Sequence, residues 1–258
     1  MPDQTGTGPV AARVLRVCSL YPDLMNIYAD RGNLLVLERR CLWRGLGFEL
    51  QASGLGESFD PEVPDLIYLG GGQDRDQRLC AEDLLERKRD ALHAAAARGA
   101  VVLGVCGGYQ LLGNSYVLGE QRIPGVGLLN VDTVREDAPR LIGNIAIEVS
   151  LDGDPAGARS RVLAGFENHG GRTRLGEGQH SLGRVLKGYG NDGVSGMEGA
   201  MRANTIGTYL HGPLLPKNVW FADWLIARAL RMEPGELSPL DDALEQEAHM
   251  GARRAAGV

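Results

Sequence analysis

The amino-acid sequence predicts an α/β protein built as a three-layer sandwich around a mostly parallel central sheet. Short apolar runs alternate with amphipathic stretches through the first half of the 258 residues. A single helical stretch between two strand-like runs requires a crossover connection, which pairs the strands in parallel and is almost always right-handed. A chain of this length can also bury a full hydrophobic core. Helices on both faces of one parallel sheet are therefore expected.

The first half supplies the elements of this sheet in order. The expected strands are residues 14–20, 48–52, 66–69 and 100–105. Residues 27–46 have helical spacing, which stops at Gly45 and Gly47. Residues 82–98 form the clearest predicted helix, because acidic residues occupy its first turn and Gly99 follows its last one.

The second half is richer in glycine and in strand-like pieces. The expected strands are residues 128–134, 144–149, 162–166, 183–186 and 205–210. A helix over residues 217–232 carries Trp220, Phe221 and Trp224 as part of a core stripe. Beyond Pro234 the sequence is polar, with one exposed helix expected over residues 240–250. We expect a single domain over 1–258, with a core of about 14–232, a flexible N-terminus and a polar C-terminal tail.

Composition narrows the class of protein. The net charge is −6, and no run of Lys or Arg could follow a phosphate backbone, so nucleic acid is not an expected partner. Neither a signal-peptide core nor an apolar run of membrane-spanning length is present in the sequence, which predicts a cytoplasmic protein. The four cysteines share no metal-type spacing and are expected to be reduced thiols.

The run VVLGVCGGYQ, residues 101–110, places Cys106 between glycines at the end of a predicted strand. Ligands bind at the carboxyl ends of strands in open α/β sheets. A helix that begins at Gly107 would make this junction a nucleophile elbow, a strained turn that Gly104 and Gly108 would relieve by lacking Cβ atoms. A helix N-terminus also favours thiolate over thiol. The alternative interpretation is a buried structural cysteine beside a tight turn.

A second glycine-rich turn, Gly70-Gly71-Gly72, follows the predicted strand 66–69 and should open at the same edge of the sheet. Unhindered N–H groups of this turn, together with that of Gly107, could stabilise an oxyanion. Taken alone, the glycine triplet is equally typical of a flexible turn.

A nucleophilic cysteine also needs a base, and histidine is the usual one. His93 and His249 are expected in solvent, and His180 lies in a polar loop. His211 ends the strand-like run TIGTYLHG, and His169 in GFENHGGRT is the other candidate. The residues alone leave the choice between these two open.

Together, GVCGGYQ, GGGQD and a late histidine resemble the class I, triad-type glutamine amidotransferases over roughly residues 14–230. That family is also flavodoxin-like in its sheet, which agrees with the predicted sandwich. The resemblance implies that Cys106 attacks the side-chain amide of glutamine and forms a thioester with release of ammonia. It further implies that His211 is the base and that Gly71 or Gly72, with Gly107, donates to the oxyanion.

Further motifs narrow the resemblance to the cobyric-acid-synthase-like branch. Five segments, LYPDLMNIYADRGN, YLGGGQD, RLIGN, FENHGGRT and GTYLHGPLLPKN, resemble the GatD family, the glutaminase subunits of lipid II isoglutaminyl synthase. This implies a heterodimer with a MurT-like subunit of the Mur-ligase family. ATP and Mg²⁺ would bind that partner, and no cofactor is expected in this chain. The resemblance also assigns substrate binding to Arg140 and Gln110; without it, Arg140 is typical of a solvated loop.

The expected triad lacks its acid. Many class I relatives carry a carboxylate two residues after the histidine, whereas His211 is followed by Gly212 and Pro213. Glu167 in FENH could orient the imidazole from within the chain, and the alternative is a carboxylate delivered by the partner.

Three other functions compete with this interpretation. A glutaminase subunit for a cobyric-acid-type synthase is one, although the chain contains no P-loop motif and no room for an ATP domain. The second is a partner-independent γ-glutamyl hydrolase. The third is a non-catalytic binding module, against which the presence of both Cys106 and His211 argues.

Overall fold

The computed structural model of the protein describes residues 13–27, 31–152, 160–233 and 235–258. A six-stranded sheet forms its centre. From one edge to the other its strands are β13 (Ala200–Arg202), β14 (Thr205–Thr208), β4 (Val101–Val105), β3 (Leu66–Leu69), β1 (Val14–Leu20) and β2 (Gly47–Ser53). Every neighbouring pair is parallel except β13 with β14. The four strands predicted in the first half and the parallel sheet are confirmed.

Within the described residues, seven α-helices accompany the sheets. They are α1 (Arg31–Leu42), α2 (Asp74–Asp83), α3 (Arg89–Arg98), α4 (Gly107–Leu112), α5 (Leu214–Lys217), α6 (Val219–Ala229) and α7 (Ala243–Ala256). The crossover through α1 and the crossover through α2 and α3 move in opposite directions along the sheet. Right-handed connections therefore place these helices on opposite faces. Since α6 packs against α1, the three layers of the predicted sandwich are present.

Several helix boundaries differ from the sequence expectation. Of the helix predicted over 27–46, residues 28–30 lie outside the described part of the chain, and α1 covers Arg31–Leu42. The helix predicted over 82–98 begins earlier, at Asp74, and passes through a π-helical turn, Leu84–Lys88. Its first turns were missed because residues 74–79 are mostly polar and show no apolar face. Gly99 ends α3 with a φ of 98°, as its position predicted.

The helix predicted over 217–232 is broken at Asn218. This residue has a φ of −140°, and its side chain accepts from the Ala164 N–H at 2.9 Å and donates to the Ala164 carbonyl at 2.8 Å. The side chain therefore acts as a short strand partner for β9 (Arg161–His169) and separates α5 from α6. Because these hydrogen bonds satisfy the buried side-chain amide of Asn218, the helical backbone hydrogen bonds can be interrupted at this residue.

Two four-stranded sheets occupy the second half of the chain. One contains β10 (Gly171–Leu175), β7 (Val131–Arg135), β5 (Ser115–Leu118) and β6 (Gln121–Pro124). The other contains β12 (Met197–Glu198), β11 (Gly183–Lys187), β8 (Leu141–Val149) and β9 (Arg161–His169). The predicted strands overlap β7, β8, β9, β11 and β14. The remaining strands of this half were not predicted, because they span only two to five residues and show little apolar alternation.

The C-terminal segment is a helix that packs against the rest of the protein. The exposed helix predicted over 240–250 is α7, which contacts α5, β8 and β9. Leu244 and Met250 on its outer side are exposed, as predicted, whereas Ala256 is buried and the Ala255 carbonyl accepts from the Asn144 side chain at 3.0 Å. The polar C-terminal segment therefore contains a helix that packs against the rest of the protein. The single-domain bounds of 1–258 stay a prediction. Among the described residues, no helix combines the length and apolar character needed to cross a bilayer.

A buried arginine joins the first helix to the C-terminal part of the chain. Arg40, on α1, is 1% exposed and donates to Asp223 on α6 from Nε at 2.5 Å and from Nη2 at 2.6 Å. It also donates to both oxygens of Asp242, which precedes α7, at 2.7 and 2.8 Å. Arg44 adds a bond to Asp223 at 2.7 Å. Two carboxylates thus compensate the desolvation of the Arg40 guanidinium.

We predict that Arg40→Met destabilises the fold by about 3–5 kcal/mol, because it leaves two carboxylates near each other without their shared cation. Arg39→Met, which removes an exposed arginine from the same helix, should change stability by less than about 0.5 kcal/mol. Urea unfolding followed by circular dichroism measures both. Equal stabilities of the two variants would show that the Arg40 cluster contributes nothing to the fold.

Candidate active site

Cys106 lies at a strand-to-helix turn in a strained backbone conformation. It follows β4 and precedes α4, with φ at 51° and ψ at −106°. Positive φ is uncommon for a residue with a Cβ and marks functional turns. A Cβ on Gly104 would lie 2.6 Å from Leu112 Cδ1, and one on Gly108 would overlap the Leu69 carbonyl oxygen. The predicted elbow is therefore present, and its flanking glycines allow close approach of α4 to the sheet.

The four cysteines differ in their surroundings. Cys106 is 7% exposed and borders a cavity, whereas Cys18, Cys41 and Cys80 are buried in the core. Burial raises the pKa of each of these three thiols to about 12. They remain protonated and unreactive at neutral pH, which leaves Cys106 as the candidate nucleophile.

The glycine turn after β3 lies beside the elbow. The Gly108 N–H donates to the Gly70 carbonyl at 3.0 Å, and a Cβ on Gly107 would lie 3.0 Å from the Gly72 nitrogen. The carbonyl of Gly71 accepts from the Ile27 N–H at 3.2 Å, and Gly72 borders the cavity. Of the two alternatives, Gly72 therefore has its amide next to Gly107.

His211 follows the strand adjacent to the one that carries Cys106. β14 pairs with β4, and the Cys106 N–H donates to the Thr208 carbonyl at 2.8 Å. His211 is 1% exposed and forms an antiparallel bridge with Phe166, whose ring meets the imidazole edge-on at 5.9 Å. Burial, together with unfavourable electrostatic interactions with the nearby His169, Lys217 and Arg140, lowers the pKa of His211 to about 4. Its imidazole is therefore neutral at pH 7 and can accept a proton.

Glu167 does not accompany His211. Residues paired across an antiparallel bridge project their side chains to the same side, and successive residues of a strand alternate. Since His211 pairs with Phe166, Glu167 projects to the opposite side of β9. Its buried carboxylate accepts from the Tyr189 and Gly190 N–H groups at 2.7 and 2.9 Å. The possibility that Glu167 is the third triad member is thus contradicted by its position.

His169, the second histidine candidate, forms part of the cavity wall. Its ring stacks on Tyr209 with centroids 3.6 Å apart, Nδ1 bonds the Gly171 carbonyl at 2.8 Å, and Nε2 lies 3.8 Å from Glu167. Both ring nitrogens therefore face protein groups. His93 and His249, expected in solvent, each bond a backbone carbonyl instead.

Arg140 borders the cavity and is held by the neighbouring strand β9. Its Nε donates to the Asn168 Oδ1 at 2.8 Å, and Nη2 donates to the Asn168 carbonyl at 2.8 Å. These two bonds fix the plane of the guanidinium beside the cavity. Arg75 and Arg135 border the same cavity, whose lining among the described residues contains no Asp or Glu. The site therefore attracts anions.

Gln110 borders the cavity, yet both ends of its amide bond other protein groups. Its Oε1 accepts from Gln77 Nε2 at 2.6 Å, and its Nε2 donates to the Tyr209 hydroxyl at 3.1 Å. Gln77 also donates to the Gly107 carbonyl at 3.2 Å. The structure thus places Gln110 as a brace of the elbow in the cavity wall, and its role in substrate binding stays a prediction.

The cavity has a volume of about 470 Å³, within the range usual for small-molecule sites. It brings together Cys106, Gly72, Gln110 and Arg140, whereas His211 lies outside its lining. Sequence reasoning missed Gln77, Tyr209 and Arg135. A signal existed for Gln77, which lies one helical turn after Gln73 in GGGQDRDQ. Tyr209 and Arg135 reach the site only through the folding of distant strands.

A larger cavity of about 820 Å³ lies between α6 and α7, lined by residues such as Trp220, Leu240 and His249. Its lining contains neither Cys106 nor Gly72, and none of Arg75, Arg135 and Arg140. We therefore assign the chemistry to the smaller cavity. Within the described part of the chain, no group of three or more His, Cys, Asp or Glu residues could hold a metal ion.

The sequence of this chain is similar to those of known glutamine amidotransferases. Residues 16–219 match the family of CobB/CobQ-like glutamine amidotransferase domains. The GatD subunit of lipid II isoglutaminyl synthase from Streptococcus pneumoniae is 37% identical, over 90% of this chain and 88% of that protein. The GatD subunit from Staphylococcus aureus is 35% identical, over 91% and 93%. A probable cobyric acid synthase from Methanopyrus kandleri is 39% identical, over 59% of this chain and 31% of that protein.

Solved structures share the fold. PurLQS from Thermotoga maritima has a TM-score of 0.58 at 20% identity and covers 92% of this chain and 98% of that chain. A glutamine amidotransferase from the same organism has a TM-score of 0.50 at 17% identity, covering 94% of both chains. The family match and the two relatives that align over nearly their full length establish the assignment. This chain belongs to the CobB/CobQ-like glutamine amidotransferases, within the family of the GatD subunits.

Proposed function

We propose that this protein is the glutaminase subunit of a lipid II isoglutaminyl synthase. It hydrolyses L-glutamine to glutamate and ammonia, and a MurT-like partner uses the ammonia to amidate the D-glutamate of lipid II. The observation that carries the proposal is the strained Cys106 elbow, with the Gly72 amide beside Gly107, in a chain that aligns with GatD subunits over nine-tenths of its length.

The reaction begins with the transfer of the Cys106 thiol proton to His211. The thiolate then attacks the side-chain amide carbon of glutamine, and the carbonyl oxygen becomes an oxyanion near the Gly72 and Gly107 N–H groups. The imidazolium of His211 returns its proton to the amide nitrogen, the C–N bond breaks, and ammonia leaves a thioester on Cys106. A water molecule that gives a proton to His211 cleaves the thioester, which yields glutamate and restores the thiol.

The arginine-bordered cavity supports glutamine as the substrate. A guanidinium donates strong, charge-assisted bonds to a carboxylate, and Arg140 is held at the cavity wall by its two bonds to Asn168. Arg140 therefore binds the α-carboxylate of glutamine. The side-chain amide is then directed towards the elbow at Cys106, which lines the same cavity.

The partner supplies the rest of the synthase. ATP and Mg²⁺ bind the MurT-like subunit, which activates the carboxylate that receives the ammonia. The chain acts in the cytoplasm as a single domain. Cys18, Cys41 and Cys80 are buried thiols whose pKa values are raised to about 12, and free thiols suit a reducing compartment. The partner also supplies the carboxylate that orients His211, since Glu167 bonds Tyr189 and Gly190 instead.

Two alternatives make different predictions. The first alternative is a cobyric-acid-type glutaminase, which would serve a cofactor synthase. The match to the cobyric acid synthase covers only 31% of that protein, whereas the matches to the GatD subunits cover 88% and 93% of theirs. A partner-independent γ-glutamyl hydrolase would be fully active alone. Ammonia release measured with and without a MurT-like protein, together with amidation of lipid II, separates these functions.

We predict that Cys106→Ala and Cys106→Ser each abolish glutamine hydrolysis, with a loss of at least about 10³-fold, because no other group forms the thioester. A diazo-ketone analogue of glutamine should label Cys106 and spare Cys18, Cys41 and Cys80. Peptide mass spectrometry locates the label, and circular dichroism checks the fold. A Cys106→Ala protein that still releases ammonia, or label spread over all four cysteines, contradicts the assignment.

For the glutamine clamp, we expect Arg140→Ala to lower kcat/KM for glutamine roughly ten- to hundredfold, since a charge-assisted bond is lost. Arg140→Lys should also be impaired, because an ammonium cannot reproduce the guanidinium fork. Arg174→Ala, which removes an exposed arginine paired only loosely with Glu136 at 3.6 Å, is the matched control. Unchanged glutamine kinetics in Arg140→Ala would rule out the clamp.

A carboxylate from the partner should raise the pKa of His211. In the isolated chain burial holds that pKa near 4, so the ¹³Cε1 signal of His211 should not titrate between pH 5 and 8. A nearby carboxylate favours the charged form, so the midpoint should move up into this window in the complex. NMR of ¹³C-histidine-labelled protein measures this, and the signal absent from His211→Gln identifies the residue.

Replacing the responsible Asp or Glu of the partner by Asn or Gln should remove the titration of His211 between pH 5 and 8 from the complex. Most of the glutaminase activity of the complex should be lost with it. An unchanged titration on assembly would count against a carboxylate from the partner. Full activity of the isolated chain, lost in a folded Glu167→Gln variant, would place the acceptor within the chain.

A further inference from the structure

Met25 lies between the two glycines whose amides flank the elbow. A Cβ on Gly72 would overlap the Met25 Sδ, and a Cβ on Gly107 would lie 3.2 Å from the Met25 Cε. Met25 is 2% exposed and belongs to the core. Its thioether therefore fills the volume that side chains at Gly72 and Gly107 would otherwise occupy.

The segment that carries Met25 is anchored at both ends. At one end the N–H groups of Leu24 and Met25 donate to the Tyr21 carbonyl at 3.0 and 2.8 Å, and the Tyr21 hydroxyl donates to Asp83 at 2.8 Å. Tyr21 itself has a φ of 51°. At the other end the Ile27 N–H donates to the Gly71 carbonyl at 3.2 Å. Met25 is thus held against the glycine turn by bonds to α2 and to the turn itself.

Lys88 strengthens the anchor at Asp83. Its ammonium, fully buried, bonds the Asp83 carboxylate and lies 4.6 Å from the centroid of the Tyr21 ring. It also donates to the Gly54 carbonyl at 2.9 Å. This cluster fixes the conformation of Tyr21, from which the Met25 backbone extends, so the thioether has little freedom to move away from the glycines.

We infer that Met25 is a positioning residue for the oxyanion site. Glycines lack side chains that could fix them by packing, so the separation of the Gly72 and Gly107 amides depends on what fills the space beside them. Met25 fills that space on the side of the core, while Gln77 bonds the Gly107 carbonyl from α2. The inference rests on the proposed function, because it assigns a role within the same hydrolysis.

The role predicts a specific kinetic effect. Oxyanion donors stabilise charge that develops in the transition state, so their displacement lowers kcat and leaves ground-state binding of glutamine unchanged. Outright removal of one donor lowers kcat by about 10²–10³-fold in other enzymes. A shortened side chain at residue 25 should displace the amides by less, with a fall in kcat of about tenfold or more.

The experiment compares Met25→Ala with Met25→Leu in the complex with the MurT-like partner, by steady-state glutamine hydrolysis. Met25→Ala should lower kcat about tenfold or more with KM within twofold, whereas Met25→Leu, which keeps the volume, should stay within about threefold of the original chain. Inhibition by the γ-aldehyde analogue of glutamine, which forms a tetrahedral adduct with Cys106, should weaken in parallel with kcat.

Leu15→Ala is the matched control, since Leu15 is fully buried near the start of β1, at the opposite end of the strand from the glycine turns. It should lower the melting temperature as Met25→Ala does and leave kcat unchanged. Met25→Val provides a milder truncation if Met25→Ala does not fold, with the same expected direction in kcat.

The outcomes separate the two claims. No glutamine hydrolysis by the unaltered complex would remove the proposed function. An active unaltered complex, with kcat unchanged in the truncated variants or with an effect on KM alone, would overturn the role of Met25 and leave the proposed function standing. An equal fall in kcat for Leu15→Ala would show a general loss of stability instead, and would also overturn it.

Discussion

The backbone of Cys106 is the constraint on which the rest of the site depends. A φ of 51° places this residue outside the regions that side chains usually adopt, at a cost on the order of 1–3 kcal/mol. Backbone bonds on both sides of the turn offset that strain. The Cys106 N–H donates to β14 at Thr208 at 2.8 Å, and the Gly108 N–H donates to the glycine turn after β3 at 3.0 Å. The two strands that flank β4 therefore hold the elbow, and they also carry the glycine turn and His211.

Behind the elbow, buried polar groups bond one another and keep the end of β14 in place. The Tyr209 hydroxyl accepts from Gln110 at 3.1 Å and bonds Thr173 at 2.5 Å, while its N–H donates to Glu198 at 2.7 Å. Glu198 also accepts from Thr208 at 2.6 Å, and burial raises its pKa to about 7. Because unpaired polar groups are costly in the interior, such bonds favour one arrangement of the strand that leads to His211.

Electrostatics divides the site into two parts. The cavity is bordered by three arginines although the whole chain has a net charge of −6, so a carboxylate that enters it meets a local field of the opposite sign. His211 lies beyond this lining, buried, with a pKa lowered to about 4 by burial and by neighbouring positive charge. Burial first, and then the nearby His169, Lys217 and Arg140, keep the His211 imidazole neutral at pH 7. A carboxylate brought to His211 by another subunit would change this balance.

Sequence alone determined the layers, the parallel sheet and the turns that carry Cys106 and Gly72, since alternating apolar runs and glycines leave a local signal. It also singled out His211 and Arg140, through resemblance to known amidotransferases. The sequence did not determine whether Glu167 could be the third triad member. Only the bridge between Phe166 and His211 decided that Glu167 projects away from the imidazole. Likewise, the motif around Cys106 singled out Gln110 as a candidate site residue. Only its hydrogen bonds to Gln77 and Tyr209 showed that its side chain braces the elbow. Met25 and Tyr209 look like ordinary core residues in the sequence. Their relation to the site arises from contacts between segments far apart in the chain, which periodicity and local motifs do not encode.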